Sequence, residues 1–566
     1  MRRSTFLMFV VVPSVLCGVA ISRLSGTRAR MEPLQEMARM RPRPGFAARI
    51  SIPTAYHGCT PTPPAVAESI RMVSTQRCRA SDEGSLDLVE LAGAGRSTDP
   101  DSLQASALAA MIWPDNVRQE ALDDAIARLE RAYRLSPGAA LLVDLSAAYL
   151  LRAERMQYPR DLHVAREHAL QALKLEPRNE AALYNVALAL QEAALDEAAD
   201  RAWDAYLAVD STSSWADEAR LRKRALTIKA AEIRYPGPGA SEPVVTEFAR
   251  LYPQEAREYG WNQVLGTWGA AAAGGDSACA ASYLELAELL GGALERRRGG
   301  DGSLADAVRA IRQAQSDGDA SRVLARAHRA YAMAQQHFQK QELLAAAELF
   351  ERVVRARPRS FPLSQWATLF LRAAERRGGE VTMLLAEVDS ARHPAMTGWA
   401  NMVLGRSLFG SGHYDSARVQ FRSAELNFLR AGETELTAAA WTMQGELAYE
   451  LGDTLAAYRL LHQAHRTLRP YRRSLRLRNQ LNGLAQTLFR DGMRAAALPV
   501  FDEDVLVAKR TGAAAGILDA FQGRARARLS IGDLRGADQD LDSAAAWSGE
   551  LRNEKALREW AISVMR

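Results

Sequence analysis

Nine histidines, four cysteines and one dense run of arginine are the residues of this 566-residue chain whose types and spacing could do chemistry. The histidines are His57, His163, His168, His328, His337, His393, His413, His462 and His465. Only His163/His168 and His462/His465 are close pairs. An i, i+3 spacing puts His462 and His465 on one helix face, as half of a metal site requires. No third Cys or His stands near, so the pair reads as two helix-surface histidines. Cys17, Cys59, Cys78 and Cys279 form no CxxC and sit at no metal spacing from a histidine. Cys59 and Cys78 either pair in an oxidising compartment or are two unrelated thiols. No GxGxxG opens a helix after a strand, and GxxxxGK[ST] and HExxH are missing. Gly292 and Gly299-Gly300 flank Arg296-Arg297-Arg298 as a helix end does, not as a phosphate cradle. Gly237-Pro238 and Gly274-Gly275 read as breaks between helices. We therefore expect no catalytic residue, no cofactor and no metal. An enzymatic site would have to be built from surface carboxylates.

The arginine run is Arg466, Arg469, Arg472, Arg473, Arg476 and Arg478, with no acid among them. Such a run can touch an acidic partner, anionic lipid headgroups or nucleic acid. The favoured reading is a solvated turn and helix start. The net charge is +5, but the 67 acidic residues are interspersed among the 72 basic ones. A mixed surface of this kind gives no footprint for nucleic acid, and no specific nucleic-acid partner is expected.

The elements that must position these residues are helices. Ala, Leu and Arg dominate, all strong helix formers, and alternating β-branched runs are nearly absent. The last third of the chain repeats. Gly412, Gly452, Gly492 and Gly532 are spaced by 40 residues each time. Five residues after each stands Ala417, Ala457, Ala497 or Ala537, and four further on Phe421, Leu461, Phe501 or Leu541. Seven residues before each Gly is a small residue: Gly405, Gly445, Ala485 or Ala525. The small residue marks a first helix crossed closely by a second. The Gly ends the first helix in a tight turn. The Ala faces the crossing, and the large residue one turn later fills the groove between repeats. Each unit is a helical hairpin whose apolar face only its neighbours cover.

Earlier units fit a shorter beat. Leu142, Leu145, Ser146 and Tyr149 followed by Ala165, Ala169, Ala172 and Pro177 make one hairpin. Val186, Ala187, Leu190, Ala199 and Trp203, within 180–213, make the next. Ala334, Ala346, Phe350 and Val353 lie in another that ends at Pro358. The pattern resembles the tetratricopeptide (TPR) superfamily. The expected fold is all-α: a right-handed superhelical solenoid of TPR-like hairpins behind an N-terminal hydrophobic segment and Pro-rich lead. The expected division is 1–30, a signal-anchor or signal peptide; 31–100, a Pro-rich linker or collar; 101–235, an N-terminal TPR domain; 236–326, a degenerate helical region whose repeats cannot be registered; and 327–566, the C-terminal array.

The stretch from about Asp101 to Leu226 resembles something narrower. AIARLERAYRLSP at Ala125–Pro137, DLSAAYLLRAE at Asp144–Glu154, PRDLHVAREHALQALKLEP at Pro159–Pro177 and SSWADEARLRKRAL at Ser213–Leu226 look like the repeat regions of bacterial CHAT-type (caspase-like) TPR proteins. That resemblance implies a peptidase after the repeats, which needs a His and a Cys. No Cys follows Cys279. The chain then reads as the repeat half, an adaptor or the partner of a catalytic module on another chain.

Phe6 to Ile21 is an uncharged stretch long enough for about 24 Å of helix. It is either a membrane anchor, the favoured reading, or a cleaved signal peptide; localisation would be a bacterial inner membrane, or secreted and periplasmic after cleavage. Partner binding is expected on first helices, which line the inner wall of a TPR superhelix. In register, that wall carries Trp399, Met402 and Arg406; Thr442 and Glu446; Asn479, Asn482, Gln486 and Arg490; and Gln522 and Arg526. Amides can bond an extended backbone and arginines pair with carboxylates, so the expected ligand is a protein or peptide with acidic character. The expected function is a membrane-associated, non-catalytic scaffold. The alternatives are a regulatory subunit of a CHAT-like protease and an enzyme with an unrecognised site.

Overall fold

A computed structural model describes residues 48–51, 99–112, 119–226, 233–356, 362–375, 381–388, 390–472 and 474–548. The expectations for Phe6–Ile21, Cys17, Cys59, Cys78, Arg473 and Pro358 lie outside them. Among the described residues every regular element is helical, and no helix is long and apolar enough to cross a membrane. The chain divides into two units, Met1–Ile228 and Lys229–Arg566.

In the first unit the helices are α1 (Pro100–Ile112), α2 (Gln119–Leu135), α3 (Ala139–Met156), α4 (Arg160–Leu175), α5 (Glu180–Glu192), α6 (Asp196–Leu207) and α7 (Ser214–Leu226). They pack in chain order as hairpins α1/α2, α3/α4 and α5/α6, with α7 against α6 and the first helices α1, α3 and α5 side by side. The expected packing residues are where the pattern put them. Leu142, Leu145 and Ser146 are buried on α3, Ala165, Ala169 and Ala172 on α4, and Trp203 on α6. Under α5 to α7 lies an aromatic knot. Tyr184 meets Trp203, Tyr206 and Trp215 edge-on at centroid distances of 5.0, 5.3 and 5.0 Å, a favoured geometry for π quadrupoles.

The second unit begins with α8 (Glu242–Leu251), α9 (Pro253–Tyr259), a π-helical turn (Gly260–Val264), α10 (Leu265–Gly274), α11 (Ser277–Arg296), α12 (Ser303–Ala314), α13 (Gly318–Gln339), α14 (Leu343–Ala356), α15 (Pro362–Glu375) and α16 (Val381–Glu387). Its core gathers Trp261, Tyr331, Phe350, Trp366 and Phe370. One contact of the 236–326 stretch brings two helix backbones together. A Cβ on Gly269 would stand 2.5 Å from the Ala325 carbonyl oxygen and 2.9 Å from the Arg329 nitrogen, so α10 lies backbone to backbone on α13.

The 40-residue array follows as α17 (Pro394–Gly410), α18 (Tyr414–Ala431), α19 (Thr434–Glu450), α20 (Thr454–Leu468), α21 (Leu475–Arg490), α22 (Arg494–Thr511), α23 (Ala514–Ser530) and α24 (Leu534–Ser548). Gly412, Gly452, Gly492 and Gly532 have φ of 80, 82, 79 and 85°. Each ends a first helix in the left-handed region that only Gly enters without strain. After each, the next N–H closes onto a carbonyl five residues back, as His413 does on Leu408 at 2.9 Å and Asp453 on Ala448 at 2.9 Å, the bond of a Schellman cap. Ala417, Ala457, Ala497 and Ala537 are fully buried, as are Phe421 and Leu461, with Phe501 nearly so. A Cβ on Gly405 would stand 2.7 Å from the Phe421 ring and one on Gly445 2.8 Å from Leu461. The small residue is small because its own hairpin's large residue sits on it. Leu541 is half-buried, since no described hairpin follows it.

Candidate functional site

Among the polar residues fully buried on the first helices of the first unit, Asp144 on α3 and Asn185 on α5 carry the largest hydrogen-bonding demand. Buried polar groups need partners. Theirs are on a short non-helical segment of the same unit, Ala48–Ser51. The Asn185 Oδ1 accepts from the Arg49 backbone N–H at 2.8 Å, and its Nδ2 donates to the Arg49 carbonyl at 2.7 Å. One amide thus satisfies both backbone groups of one residue. Two residues on, the Asp144 carboxylate accepts from the Ser51 N–H at 2.7 Å and the Ser51 hydroxyl at 2.8 Å. Gln104 of α1 donates to the same carboxylate at 2.7 Å and holds it in place. Ala48 and Ile50 are buried and Arg49 and Ser51 half-buried.

The Arg49 guanidinium enters a pocket of its own. Its Nη1 donates to the Tyr206 hydroxyl at 3.0 Å, and Asp210 and Glu180 lie at 3.7 and 3.4 Å. Its carbon stands 5.2 Å from the Trp215 ring centroid and 5.9 Å from that of Tyr206, within cation–π range. Tyr206 also donates to Asp210 at 2.5 Å, and Ser213 bonds the same carboxylate. Burial works against the Asp210 charge, yet these bonds hold its carboxyl below the ordinary range. Burial and Asp210 together keep the Tyr206 phenol protonated. The groove as a whole can hold an extended backbone and one guanidinium. The carboxylates here are occupied as hydrogen-bond acceptors.

The wall expected on the array falls on α17, α19, α21 and α23. Asn479 and Arg490 are exposed on α21, with Asn482 and Gln486 half-buried between them, while Arg406 and Arg526 are exposed on α17 and α23 and Gln522 is half-buried. Asn482 reaches Asp519 on α23 at 3.4 Å, and Arg490 pairs with Glu450 on α19 while lying over Tyr449. Neighbouring first helices therefore share one polar row. Other members of the expected wall are packing residues. Trp399 rests on Phe370 with centroids 5.1 Å apart, Met402 is buried, and the buried Thr442 donates to the Ala438 carbonyl at 3.1 Å. Glu446 is pushed up to about 7, first by burial and also by Glu450, although Arg406 opposes the shift. The row thus carries acids as well as arginines, which leaves the acidic character of the ligand without support.

The arginine run and the histidine pair are corrected in part. Arg476 and Arg478 are not solvated. Arg476 bonds Glu258 at 2.9 Å with Glu435 at 3.5 Å, and Arg478 pairs with Asp504 at 3.3 Å and with Asp519. His465 is not on the helix surface; it is buried against Gln480 at 2.8 Å. The histidine is buried by α21 packing on α20, and the two arginines are paired by carboxylates on α9, α19, α22 and α23; spacing along one helix reveals neither relation.

Sequence reasoning also missed a buried network in the second unit. Arg257 of α9 grips Glu433 through two bonds, 2.5 and 2.9 Å, and its guanidinium lies 5.1 Å from the Trp366 centroid. Gln254 accepts from the Glu435 N–H at 2.9 Å, capping the start of α19 from 181 residues away. Beside this network a cavity of about 250 Å³ is lined by Tyr235, Glu255, Glu258, Tyr259, Gln335 and Glu435, and the π turn contributes Asn262 and Gln263. Burial, with repulsion from Glu435 and Glu258, raises the Glu255 carboxyl to about 7.

No family model matches the chain, and no curated protein matches it. Among solved structures it is similar to yeast Tom70, at 14% sequence identity over 82% of this chain and 94% of that one, with a TM-score of 0.29. It is also similar to the APC/C hetero-tetramer Cut9–Hcn1, at 13% identity over 82% and 89% of the two chains, with a TM-score of 0.28. Likeness at that level carries nothing about function.

Proposed function

We propose that the protein is a non-catalytic scaffold that holds other polypeptides in extended form along the first helices of its hairpins. One observation carries this reading: Asn185 and Asp144 bind the main chain of a non-helical segment, at Arg49 and again at Ser51. Bonds to the backbone at alternate residues are how a groove takes an extended chain. The polar row Asn479, Asn482, Gln486, Arg490 with Gln522 and Arg526 offers a comparable surface on the array. Its mixed charge suits a partner of mixed charge better than an acidic one. The apolar stretch Phe6–Ile21 supports the further reading that the scaffold is tied to a membrane.

Affinity capture with the full-length protein tests the first reading. Asn185→Ala with Asp144→Ala removes two neutral bonds of about 0.5–1.5 kcal/mol each and two charge-assisted bonds of about 1.5–3 kcal/mol each. Partner recovery should fall at least about tenfold, with helicity by circular dichroism retained. Unchanged recovery from a folded variant would sink the proposal. Carbonate extraction tests the membrane reading: the wild type should stay in the pellet, and a chain with charged substitutions at Val10 and Val15 should be released.

A further inference from the structure

Resting on the reading that this groove holds extended polypeptide, we infer that it is selective for arginine. Its ligand class is an extended segment with arginine followed by an aliphatic residue and serine, and the chain's own Ala48–Ser51 is a resident competitor that such a segment displaces. The backbone bonds from Asn185 and Asp144 are indifferent to sequence. Selectivity has to come from side chains, and three features supply it at the arginine. The first is shape: Trp215 and Tyr206 present ring faces to a flat, delocalised cation, which guanidinium satisfies and a compact, strongly hydrated ammonium satisfies less well. The second is the set of acceptors, the Tyr206 hydroxyl with Asp210 and Glu180, spread around the fork of N–H groups.

The third is rigidity. Tyr206 is fully buried in the aromatic knot, and Asp210 is 7% exposed and bonded by Tyr206 and Ser213. These contacts do not involve Arg49, so the pocket is organised before any arginine enters, and little ordering cost falls on the ligand. One residue on, Ile50 is 3% exposed, which sets the aliphatic preference. The Ser51 hydroxyl on Asp144 sets the last position. The occupant belongs to the same chain, so it is present at every protein concentration, and an incoming segment has to win against it.

The test uses the full chain and a fluorescein-labelled peptide of its own residues 45–54, read by anisotropy. Arg49→Ala with Ile50→Asp vacates the groove. This opened chain should bind the peptide at least about tenfold tighter than wild type does. A peptide with Ala in place of the arginine should lose at least about tenfold, and one with Lys several-fold. Trp215→Ala in the opened chain should reduce the difference between the arginine and alanine peptides several-fold. Equal binding of arginine and alanine peptides overturns the selectivity while leaving the backbone-holding reading intact. Failure of every peptide to bind a fully helical opened chain overturns both. Wild type binding as tightly as the opened chain overturns the resident competitor. Should the double variant lose helicity, Arg49→Ala alone empties the guanidinium pocket and weakens the occupant, and the arginine and alanine peptides are compared on that chain instead.

Discussion

Asn185, Arg257 and the half-buried Glu255 show three things a polar residue shielded from water can do in a helical array. Asn185 is satisfied by a backbone that belongs to no helix, so it fixes the Ala48–Ser51 segment on α5. Arg257 is satisfied by Glu433, and both are at most 5% exposed, so the pair is structural. Cutting one partner of such a pair leaves a buried charge uncompensated, at a cost of about 3–5 kcal/mol. Arg257→Met should therefore lower the unfolding midpoint in urea sharply, and Glu433→Leu added to it should recover most of the loss. Glu255 has no cation among the main influences on its carboxyl, and its raised value has a definite sign. The folded state holds the proton up to about pH 7, while the unfolded chain releases it near 4.5. Stability is therefore unaffected below about pH 4.5, falls as pH rises between those values, and stays lower above pH 7. Glu255→Gln should match wild type at pH 4.5 and exceed it at pH 8. Allowing for partial exposure, the gain is on the order of 1 kcal/mol, or about 2–4 °C in Tm. A melting series across that range checks both the sign and the window.

At the scale of the hairpin, the turn decides how well each unit closes. Gly452 has φ of 82° with open space around its missing Cβ, so Gly452→Ala meets only backbone strain. That strain is about 1–2 kcal/mol, and the midpoint of unfolding should drop accordingly. The α5/α6 turn has the same geometry with Ala194 at φ 62°, its neighbour Leu195 closing onto the Leu190 carbonyl at 3.0 Å. Ala194→Gly should shift stability the other way, by roughly 0.5 kcal/mol, since relief of strain outweighs the added freedom of the unfolded chain. Chemical denaturation of the two variants side by side tests the opposed signs. Should both lose stability, the turn is not what limits closure.

The two units of the whole molecule each carry a core of their own, one around Trp203 and Tyr184, the other around Trp261 and Trp366. Units with separate cores unfold as separate cooperative blocks unless a large interface joins them. Trp203→Ala removes a fully buried indole that bonds Gln191 at 2.9 Å. It should cost about 3–5 kcal/mol in the first unit. Calorimetry should show one transition moved down and a second unmoved. A single transition displaced as a whole would show instead that the two cores unfold together.

The hairpin array was legible in the sequence because a repeat states the same packing problem several times. Gly412, Ala417 and Phe421 recur at the same offsets since each hairpin must turn, cross and cover its neighbour in the same way. Local chemistry was legible for the same reason: helix, turn and crossing residue lie within a few turns of one another. The 236–326 stretch was not, because Gly269 answers to Ala325 and Gln254 to Glu435, contacts that leave no period along the chain. The Asn185 groove was hidden too. Asn185 and Asp144 looked like ordinary helix residues, and their partners at Arg49 and Ser51 lie 136 and 93 residues away. An acid and an amide on the buried stripe of successive first helices were a trace of it. Periodicity alone fixed an all-α chain of hairpins and its turns, because those depend on neighbours in sequence. Only the tertiary structure decided which polar groups are buried together, and so which first helices are wall and which are groove.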